Sequence, residues 1–310
     1  MDEFARIATF FAPLAVAAGR GLKDDAAVLA PPTGRELVLT VDQMLEGIHF
    51  LKADDPALIA RKLLRRNLSD LAAMGAVPLG YLLTTALPGQ VPDDWLARFV
   101  EGLRTDQQIF NIGLFGGDSS SALTQMSFTA TLLGHVAPGQ ALPRSGARVG
   151  DRLFVTGTIG DAALGLQARL GKLADPTGFL TIRSLIPEPR TGLELAGIVS
   201  AAIDVSDGLI QDIGHICRAS GVGAVIEAQA VPISAPALAL GPDYLETRLT
   251  GGDDYELVLA VPPENRALLY EACGGLPVTE IGFFQAEAGV RIMQADGTPL
   301  SLSASGWKHF

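Results

Sequence analysis

Short apolar runs that end at an aspartate recur along this chain, and they constrain its fold more than any other feature. The run 36–41 (ELVLTV) ends directly at Asp42, and the run 112–115 leads through two glycines to Asp118. Runs of this length, bounded by turn residues and rich in β-branched side chains, are typical of strands in a sheet. Longer segments with helical periodicity lie between them. The chain is therefore predicted to fold as an α/β or α+β protein.

The clearest helical segment begins after Pro56, where Leu63, Asn67, Asp70 and Met74 recur at the spacing of one helix face. A glycine and then a proline follow this segment, and both are helix stop signals. Asp70 thus falls on the apolar face, where an ionised carboxylate is costly unless a positive group meets it. A solvated aspartate in the last helical turn is the alternative interpretation.

At 310 residues the chain exceeds the size that a single core commonly serves, so two domains are expected. The best boundary is Pro138-Gly139-Gln140, which follows a completed strand pattern and opens a polar turn. The expected domains are therefore residues 1–138 and 139–310. Strands are predicted over 26–29, 36–41, 79–86, 112–115, 126–136, 153–156, 223–227, 255–261, 278–282 and 290–293, and further helices over 2–17, 92–110, 209–219 and 263–273.

Acidic residues outnumber basic ones by 34 to 23, which gives a formal net charge of −11. This balance argues against a nucleic-acid partner, because such a partner requires a basic face. No uninterrupted apolar span reaches membrane length, and Asp2 and Glu3 stand where a signal peptide is basic. Cys217 and Cys273 form no C-x-x-C pair, so core thiols in a reducing compartment are expected. The sequence predicts a cytoplasmic protein without a membrane partner.

Carboxylates at the ends of predicted elements, beside small residues, form the main candidate for chemistry. Each one alone is ordinary turn chemistry. Together, with few histidines at ligand spacing, they suit a hard cation such as Mg²⁺ better than zinc. Two unit negative charges about 4 Å apart repel by roughly 4 kcal/mol at an effective dielectric constant near 20, so phosphates would need such ions to bind here. The residues are Asp24, Asp25, Asp42, Asp70, Asp118, Asp204, Asp207, Asp253 and Asp254.

Common nucleotide-binding motifs are absent, since the chain has no G-x-x-x-x-G-K-[ST], G-x-G-x-x-G or H-R-D string. The segment 156–161 (TGTIGD) at a strand-to-helix junction is a candidate anion cradle, although a capped tight turn explains it as well. Arg144 is a candidate phosphate clamp or a surface arginine. Trp307 is a candidate for stacking on a planar ring or a core residue.

Taken in order, these motifs resemble those of the thiamine-monophosphate kinases, a family within the superfamily of aminoimidazole ribonucleotide synthetase and selenophosphate synthetase. Each match is weak alone, but together they follow the family order over nearly the whole chain. The matching strings are Asp24-Asp25-Ala26-Ala27-Val28, Thr40-Val41-Asp42, Glu46-Gly47-Ile48-His49-Phe50, Asn67 to Ala76 (NLSDLAAMGA), Gly116-Gly117-Asp118, Arg144-Ser145-Gly146-Ala147, Asp204 to Leu209 (DVSDGL), Gly251 to Leu257 (GGDDYEL) and Gly306 to Phe310 (GWKHF).

The resemblance implies an N-terminal domain that binds ATP and Mg²⁺ and whose sheet pairs across a homodimer. It implies a C-terminal α/β domain that covers the active-site cleft. ATP and thiamine monophosphate would be the substrates, and the γ-phosphoryl group would pass directly and in line to the acceptor phosphate. That acceptor is already ionised near pH 7, so positioning and charge neutralisation would suffice.

The resemblance also implies roles for individual residues, which are carried over position by position. Several Mg²⁺ ions would be held by Asp25, Thr40, Val41 through its carbonyl oxygen, Asp42, Asp70, Asp118, Asp204 and Asp207, and Asp42, Asp70 and Asp207 would be catalytic. ATP would contact Gly117, Asp118, Arg144 and Ser206. Thiamine monophosphate would contact His49, Asp253 and Trp307.

Three positions depart from the usual family pattern. Lys23 stands where a glycine usually precedes the Asp-Asp pair, and Trp307 stands where tyrosine is also common. Asp253 replaces the usual glutamate and is one methylene shorter, which puts its substrate contact in question.

Two alternatives stay open at this point. One is another ATP-using member of the superfamily, such as an enzyme like aminoimidazole ribonucleotide synthetase. A selenophosphate synthetase is disfavoured because it would carry a reactive cysteine in its N-terminal region, and no cysteine precedes Cys217. The other alternative is a non-catalytic protein that binds divalent metal or nucleotide, with structural carboxylates.

Overall fold

The computed structural model describes residues 3–89, 91–302 and 306. The chain divides into two compact units, one of Met1–Leu71 with Ala76–Gly139 and the other of Ala72–Gly75 with Gln140–Phe310. Both units combine a mixed β-sheet with helices, as the apolar patterns predicted. None of the helices in the described part of the chain is long and apolar enough to cross a bilayer.

The first unit is built on a four-stranded sheet in the order β1-β4-β2-β3. The strands β2 and β3 run parallel, whereas β4 is antiparallel to both of its neighbours. The strands are β1 (Glu36–Leu45), β2 (Val77–Pro88), β3 (Gly113–Ala122) and β4 (Ser127–Val136), and the helices are α1 (Glu3–Arg6), α2 (Pro56–Ala73) and α3 (Asp93–Phe110).

Helices cover one face of this sheet. Side chains of β4 alternate between buried and half-buried positions, as expected for a sheet with a single packed face. From α3, the rings of Trp95 and Phe99 stack on Phe128 of β4, with centroids 6.0 and 4.6 Å away. On the other face, Leu39 and Val41 of β1 remain 62% and 59% exposed. The first unit therefore presents an apolar, uncovered sheet face.

The second unit contains a six-stranded sheet in the order β10-β7-β9-β5-β8-β6. The pair β10 and β7 is parallel and the other pairs are antiparallel. Its strands are β5 (Arg152–Thr156), β6 (Ala201–Asp204), β7 (Gly223–Glu227), β8 (Leu257–Val261), β9 (Val278–Gln285) and β10 (Gly289–Met293). Its helices are α4 (Asp161–Arg169), α5 (Phe179–Leu185), α6 (Leu209–Ser220), α7 (Ala235–Ala239), α8 (Leu245–Thr250) and α9 (Arg266–Ala272).

Both faces of this second sheet are covered in its centre. All five residues of β8 are buried, and they alternate between two hydrophobic clusters. Val258 faces the cluster that contains Ile213 of α6, and Leu259 faces the cluster that contains Leu269 of α9. A continuous apolar strand is the pattern expected where helices pack on both sides of a sheet.

Two predictions near the N-terminus were wrong. Residues 26–29 form no strand, because the N–H of Val28 bonds to the Ala18 carbonyl in a loop contact and not to a neighbouring strand. The Val28 side chain is 67% exposed. In place of the helix predicted over 2–17, the structure has short helical turns over Glu3–Arg6, Ile7–Phe11 and Ala12–Leu14, with Pro13 in the third of them. Proline lacks the N–H that a continuous helix requires there.

A buried ion cluster joins the two long helices of the first unit. Asp106 of α3 is fully buried and accepts hydrogen bonds from the Nε of Arg65 at 2.7 Å and the Nε of Arg61 at 2.9 Å. The guanidinium of Arg65 also lies 5.2 Å from the ring centroid of Phe110. The carboxylate is thus paired with two cations from α2, which fixes the approach of α2 and α3.

Replacement of Asp106 by asparagine should lower the free energy of unfolding by about 3 kcal/mol, because it removes the buried charge that pairs with Arg65 and Arg61. Urea unfolding followed by circular dichroism measures this loss. Glu101→Gln is the matched control, since Glu101 is 57% exposed and pairs with exposed Arg98, and it should cost less than about 1 kcal/mol. Equal losses of unfolding free energy in the two variants would contradict the conclusion that the buried pair contributes more than the exposed one.

Candidate active site

Four of the predicted metal ligands come from β1 and α2, namely Thr40, Val41, Asp42 and Asp70. Thr40 and Asp42 are two residues apart on β1, so they share a face of the sheet with the helix α2. The hydroxyl of Thr40 donates to Asp70 Oδ2 at 2.5 Å, and Arg66 Nε lies 3.5 Å from Asp42 Oδ2. The half-buried Asp70 is therefore met by a hydroxyl donor. The intervening Val41 side chain points to the uncovered face.

The loop after β1 orients His49. The N–H of Leu45 donates to His49 Nδ1 at 3.0 Å, so Nδ1 acts as the acceptor of the ring. In the neutral imidazole the proton then resides on Nε2. His49 is half-buried.

A cavity of about 610 Å³ lies at the β3 edge of the first sheet. It is lined by Asp24 and Asp25 from the loop after the N-terminal helical turns, and by Gly117 and Asp118 from β3. Its volume falls within the range of small-molecule sites. The structure thus brings Asp25, Gly117 and Asp118 together around a single cavity.

The strand order separates Asp42 from Asp118. Asp42 pairs with Ala130, which pairs with Leu83, which in turn pairs with Gly117. The edge strands β1 and β3 are three strand spacings of about 4.8 Å apart, or about 14 Å. The carboxylates of the first unit therefore form two groups, one beside α2 and one at the cavity.

In the second unit, the loop after β6 presents Asp204, Ser206 and Asp207. Asp204 is buried at the strand end, and the other two are half-buried. The carboxylate of Asp212 in α6 accepts the backbone N–H groups of residues 206, 207 and 208 at 3.1, 3.0 and 3.1 Å. Burial raises the pKa of Asp212 to about 7. Sequence reasoning missed Asp212, although an aspartate in the first turn of a helix was the available signal.

Arg144 is exposed and lies close enough to His215 to act on it electrostatically. Burial, and then Arg218 and Arg144, lower the pKa of His215. Ligand atoms of His215, Asp207 and Asp212 lie within 4.8 Å of one another. Arg144 therefore belongs to the same surface region as Asp207.

The segment 251–256 is tied to this loop. The N–H of Asp253 donates to the Ser206 carbonyl and the N–H of Tyr255 to the Val205 carbonyl, each at 2.9 Å. A Cβ at Gly252 would lie 2.2 Å from the Ser206 carbonyl oxygen, so this close approach requires glycine. Asp253 and Tyr255 have φ angles of +73° and +54°, a conformation that costs about 1–3 kcal/mol for residues other than glycine.

The candidate anion cradle at 156–161 is filled by the protein itself. The buried carboxylate of Asp254 accepts the N–H of Gly160 at 2.6 Å and of Ala162 at 3.1 Å. Burial raises the pKa of Asp254 to about 8. The expectation of a ligand phosphate there was wrong, because an internal carboxylate takes these donors, and the alternative of a capped turn is correct.

Glu256 is also structural. It is fully buried, where it pairs with Arg183 and Arg190 and accepts the hydroxyl of Thr156 at 2.7 Å. Trp307 lies outside the described residues, while its neighbour Gly306 packs beside Asp207 and Gln211.

Comparison with known proteins identifies the family. Residues 23–136 match the N-terminal domain of AIR synthase related proteins, and residues 148–294 match the C-terminal domain. A thiamine-monophosphate kinase of Caulobacter vibrioides is 41% identical, in an alignment that covers 99% of this chain and 90% of that protein. The chain belongs to the thiamine-monophosphate kinase family.

Solved structures of thiamine-monophosphate kinases have the same fold. The crystal structure of the enzyme from Stenotrophomonas maltophilia is 38% identical, with a TM-score of 0.82 over 90% of this chain and 91% of that chain. The structure of AaThiL complexed with AMPPCP and TMP is 29% identical, with a TM-score of 0.80 over 94% of each chain. The family resemblance read from the motifs is confirmed, and so is the two-domain fold with mixed sheets and helices.

The glycine pair before Asp118 offers a test of the cavity wall. A Cβ on Gly117 would lie 1.8 Å from the Leu83 carbonyl oxygen, so Gly117→Ala must push β3 away from β2 and should cost about 3 kcal/mol of unfolding free energy. In Gly116→Ala the new Cβ would lie 3.5 Å from Leu82 Cδ2, an ordinary contact, and the cost should stay below about 0.5 kcal/mol. Urea unfolding of both variants checks this difference. A Gly117→Ala protein as stable as the wild type would contradict the close approach of β3 to the Leu83 carbonyl of β2.

Proposed function

We propose that this chain transfers the γ-phosphoryl group of ATP to thiamine monophosphate and so produces thiamine diphosphate and ADP. The observation that carries the proposal is 41% identity to a thiamine-monophosphate kinase over 99% of the chain. The fold similarity to AaThiL complexed with AMPPCP and TMP adds support. The reaction would be a direct in-line displacement.

The proposed ligand contacts follow the family motifs. ATP is assigned to Gly117, Asp118, Arg144 and Ser206, and thiamine monophosphate to His49, Asp253 and Trp307. The cavity beside Gly117 and Asp118 supports the nucleotide assignment, because a glycine-rich strand allows close approach of a phosphate to the backbone. The hydrogen bond that fixes the His49 ring supports the substrate assignment, because it leaves the donor proton on Nε2.

The residues at the site fit Mg²⁺ by donor chemistry. Carboxylate, hydroxyl and backbone oxygens are the ligands that this ion prefers. The hydrogen bond from Thr40 to Asp70 brings two such oxygens within 2.5 Å of each other. The residues that would hold Mg²⁺ are Asp25, Thr40, Val41, Asp42, Asp70, Asp118, Asp204 and Asp207. When bound, Mg²⁺ neutralises charge on the phosphate oxygens.

The chain's own groups act mainly by positioning. The acceptor phosphate is ionised near pH 7 and needs no strong general base, so Asp42, Asp70 and Asp207 act as fixed carboxylates. Asp212 fixes the backbone from Ser206 to Gly208, and the Asp42 carboxylate lies beside Arg66. Groups that are already in position need not reorient during phosphoryl transfer, whereas water molecules would have to, so the activation free energy is lower.

A thiamine diphosphate assay with ATP and Mg²⁺ tests the activity, and removal of Mg²⁺ with EDTA should abolish it. Asp42→Asn and Asp70→Asn should each lower turnover by at least about a thousandfold, because each removes a charged ligand. Asp94→Asn, an exposed position at the start of α3, should leave turnover unchanged. Absence of product from the wild type would contradict the proposed reaction, and full turnover in either site variant would contradict the metal assignment.

We also propose that residues 1–138 form the ATP- and Mg²⁺-binding and dimerisation domain, and that residues 139–310 form a domain that closes the active-site cleft and adds Arg144, Asp204, Ser206 and Asp207 to it. A homodimer is proposed through the uncovered face of the first sheet. Leu37, Leu39, Val41 and Leu82 are 41% to 62% exposed there, and a continuous apolar sheet face commonly marks an interface. Asp118 shares its row with Thr84, on this same face, so a second copy would lie next to it.

Leu39→Asp should convert the dimer to a monomer in sedimentation velocity, because the charge would be buried without a partner. Val149→Asp is the control, since Val149 is 61% exposed in the second unit, against 62% for Leu39. The control should remain dimeric. A wild type that sediments as a monomer, or a dimeric Leu39→Asp variant, would contradict the proposed interface.

A cytoplasmic location is proposed on the state of the cysteines. Cys217 and Cys273 are both free and buried, and burial raises the pKa of each thiol. Free thiols of this kind are usual in a reducing compartment.

A further inference from the structure

The substrate-facing segment of the second unit contains a tyrosine with no role in the functions assigned above. Tyr255 is 2% exposed, and its hydroxyl donates to Asp253 Oδ1 at 3.0 Å. The two residues are separated only by Asp254, whose side chain bonds to the start of α4 instead.

The backbone on both sides of this hydrogen bond is fixed. Asp253 and Tyr255 both have positive φ angles, and their N–H groups bond to the carbonyls of Ser206 and Val205. Strained conformations in residues other than glycine persist only where their surroundings enforce them, and they cluster at functional sites. The Tyr255 hydroxyl restricts the rotation of the short Asp253 side chain.

We propose that Tyr255 is a positioning residue that orients the Asp253 carboxylate toward the organic part of thiamine monophosphate. The inference rests on the proposed function, in which Asp253 contacts this substrate. Aspartate is one methylene shorter than the glutamate usual at this position, so its carboxylate reaches less far and gains more from a fixed direction. Thiamine carries a cationic thiazolium ring and an amino group, which are suitable partners for a fixed carboxylate.

This arrangement predicts a selective kinetic effect. The tyrosine hydroxyl acts through Asp253 and not through the metal or nucleotide groups. Its removal should therefore weaken binding of thiamine monophosphate in both the ground state and the transition state, which raises KM for that substrate and leaves kcat unchanged. A merely structural role would instead lower the active fraction and reduce kcat.

The experiment compares Tyr255→Phe, Asp253→Asn and the double variant with the wild type. Asparagine tolerates the left-handed conformation at position 253, so the backbone is preserved. Tyr244→Phe, at a half-buried tyrosine in the same unit, is the matched control. Steady-state kinetics with each substrate give the KM values, and titration calorimetry with thiamine monophosphate gives binding independently of turnover.

Tyr255→Phe should raise KM for thiamine monophosphate about tenfold, or about 1.4 kcal/mol. KM for ATP and kcat should stay within about twofold, and Tyr244→Phe should match the wild type. In the Asp253→Asn background, loss of the tyrosine hydroxyl should add less than about twofold, because the two groups act as a pair.

An unchanged KM for thiamine monophosphate in Tyr255→Phe would overturn the inference, and so would full additivity in the double variant. A fall in kcat with unchanged KM values would also overturn it. In each of these cases a wild type that makes thiamine diphosphate leaves the proposed function standing. A wild type that makes none would overturn both.

Discussion

A carboxylate that leaves water must meet donors or cations, and this requirement governs both units of the structure. Asp106 meets two arginines, Asp212 meets three backbone N–H groups and Asp254 meets two. Each of these contacts also joins elements that are distant in the chain or fixes a loop. Removal of the donors would leave a buried carboxyl group without hydrogen bonds, which costs more than a typical hydrogen bond contributes.

The acidic residues therefore fall into two classes with different consequences. Asp254 and Glu256 are buried and satisfied within the protein, so they shape the second unit and are closed to ligands. Asp25 and Asp118 are exposed and line a cavity. Asp253 stands between the classes, half-buried and held by Tyr255. The exposed carboxylates would repel an anionic substrate unless bound cations neutralised their charge.

Periodicity in the sequence predicted the two long helices of the first unit well. The helix after Pro56 extends to Ala73 as expected, and the predicted helix over 92–110 is Asp93–Phe110. It failed for 26–29, where four apolar residues have no neighbouring strand to pair with. The sequence also left an anion cradle and a capped turn open at 156–161, because nothing local reveals that Asp254 reaches the N–H of Ala162 from 92 residues away.

The sequence by itself determined the residue types at the site, their order along the chain and the family. The residues of a motif such as Gly116-Gly117-Asp118 can be identified without knowledge of the fold. Only the tertiary structure decided which carboxylates receive internal donors and which remain open. It also decided that Asp42 and Asp118 stand at opposite edges of one sheet. The physical reason is that strand order and hydrogen-bond partners are set by contacts between residues far apart in the chain, which no local pattern encodes.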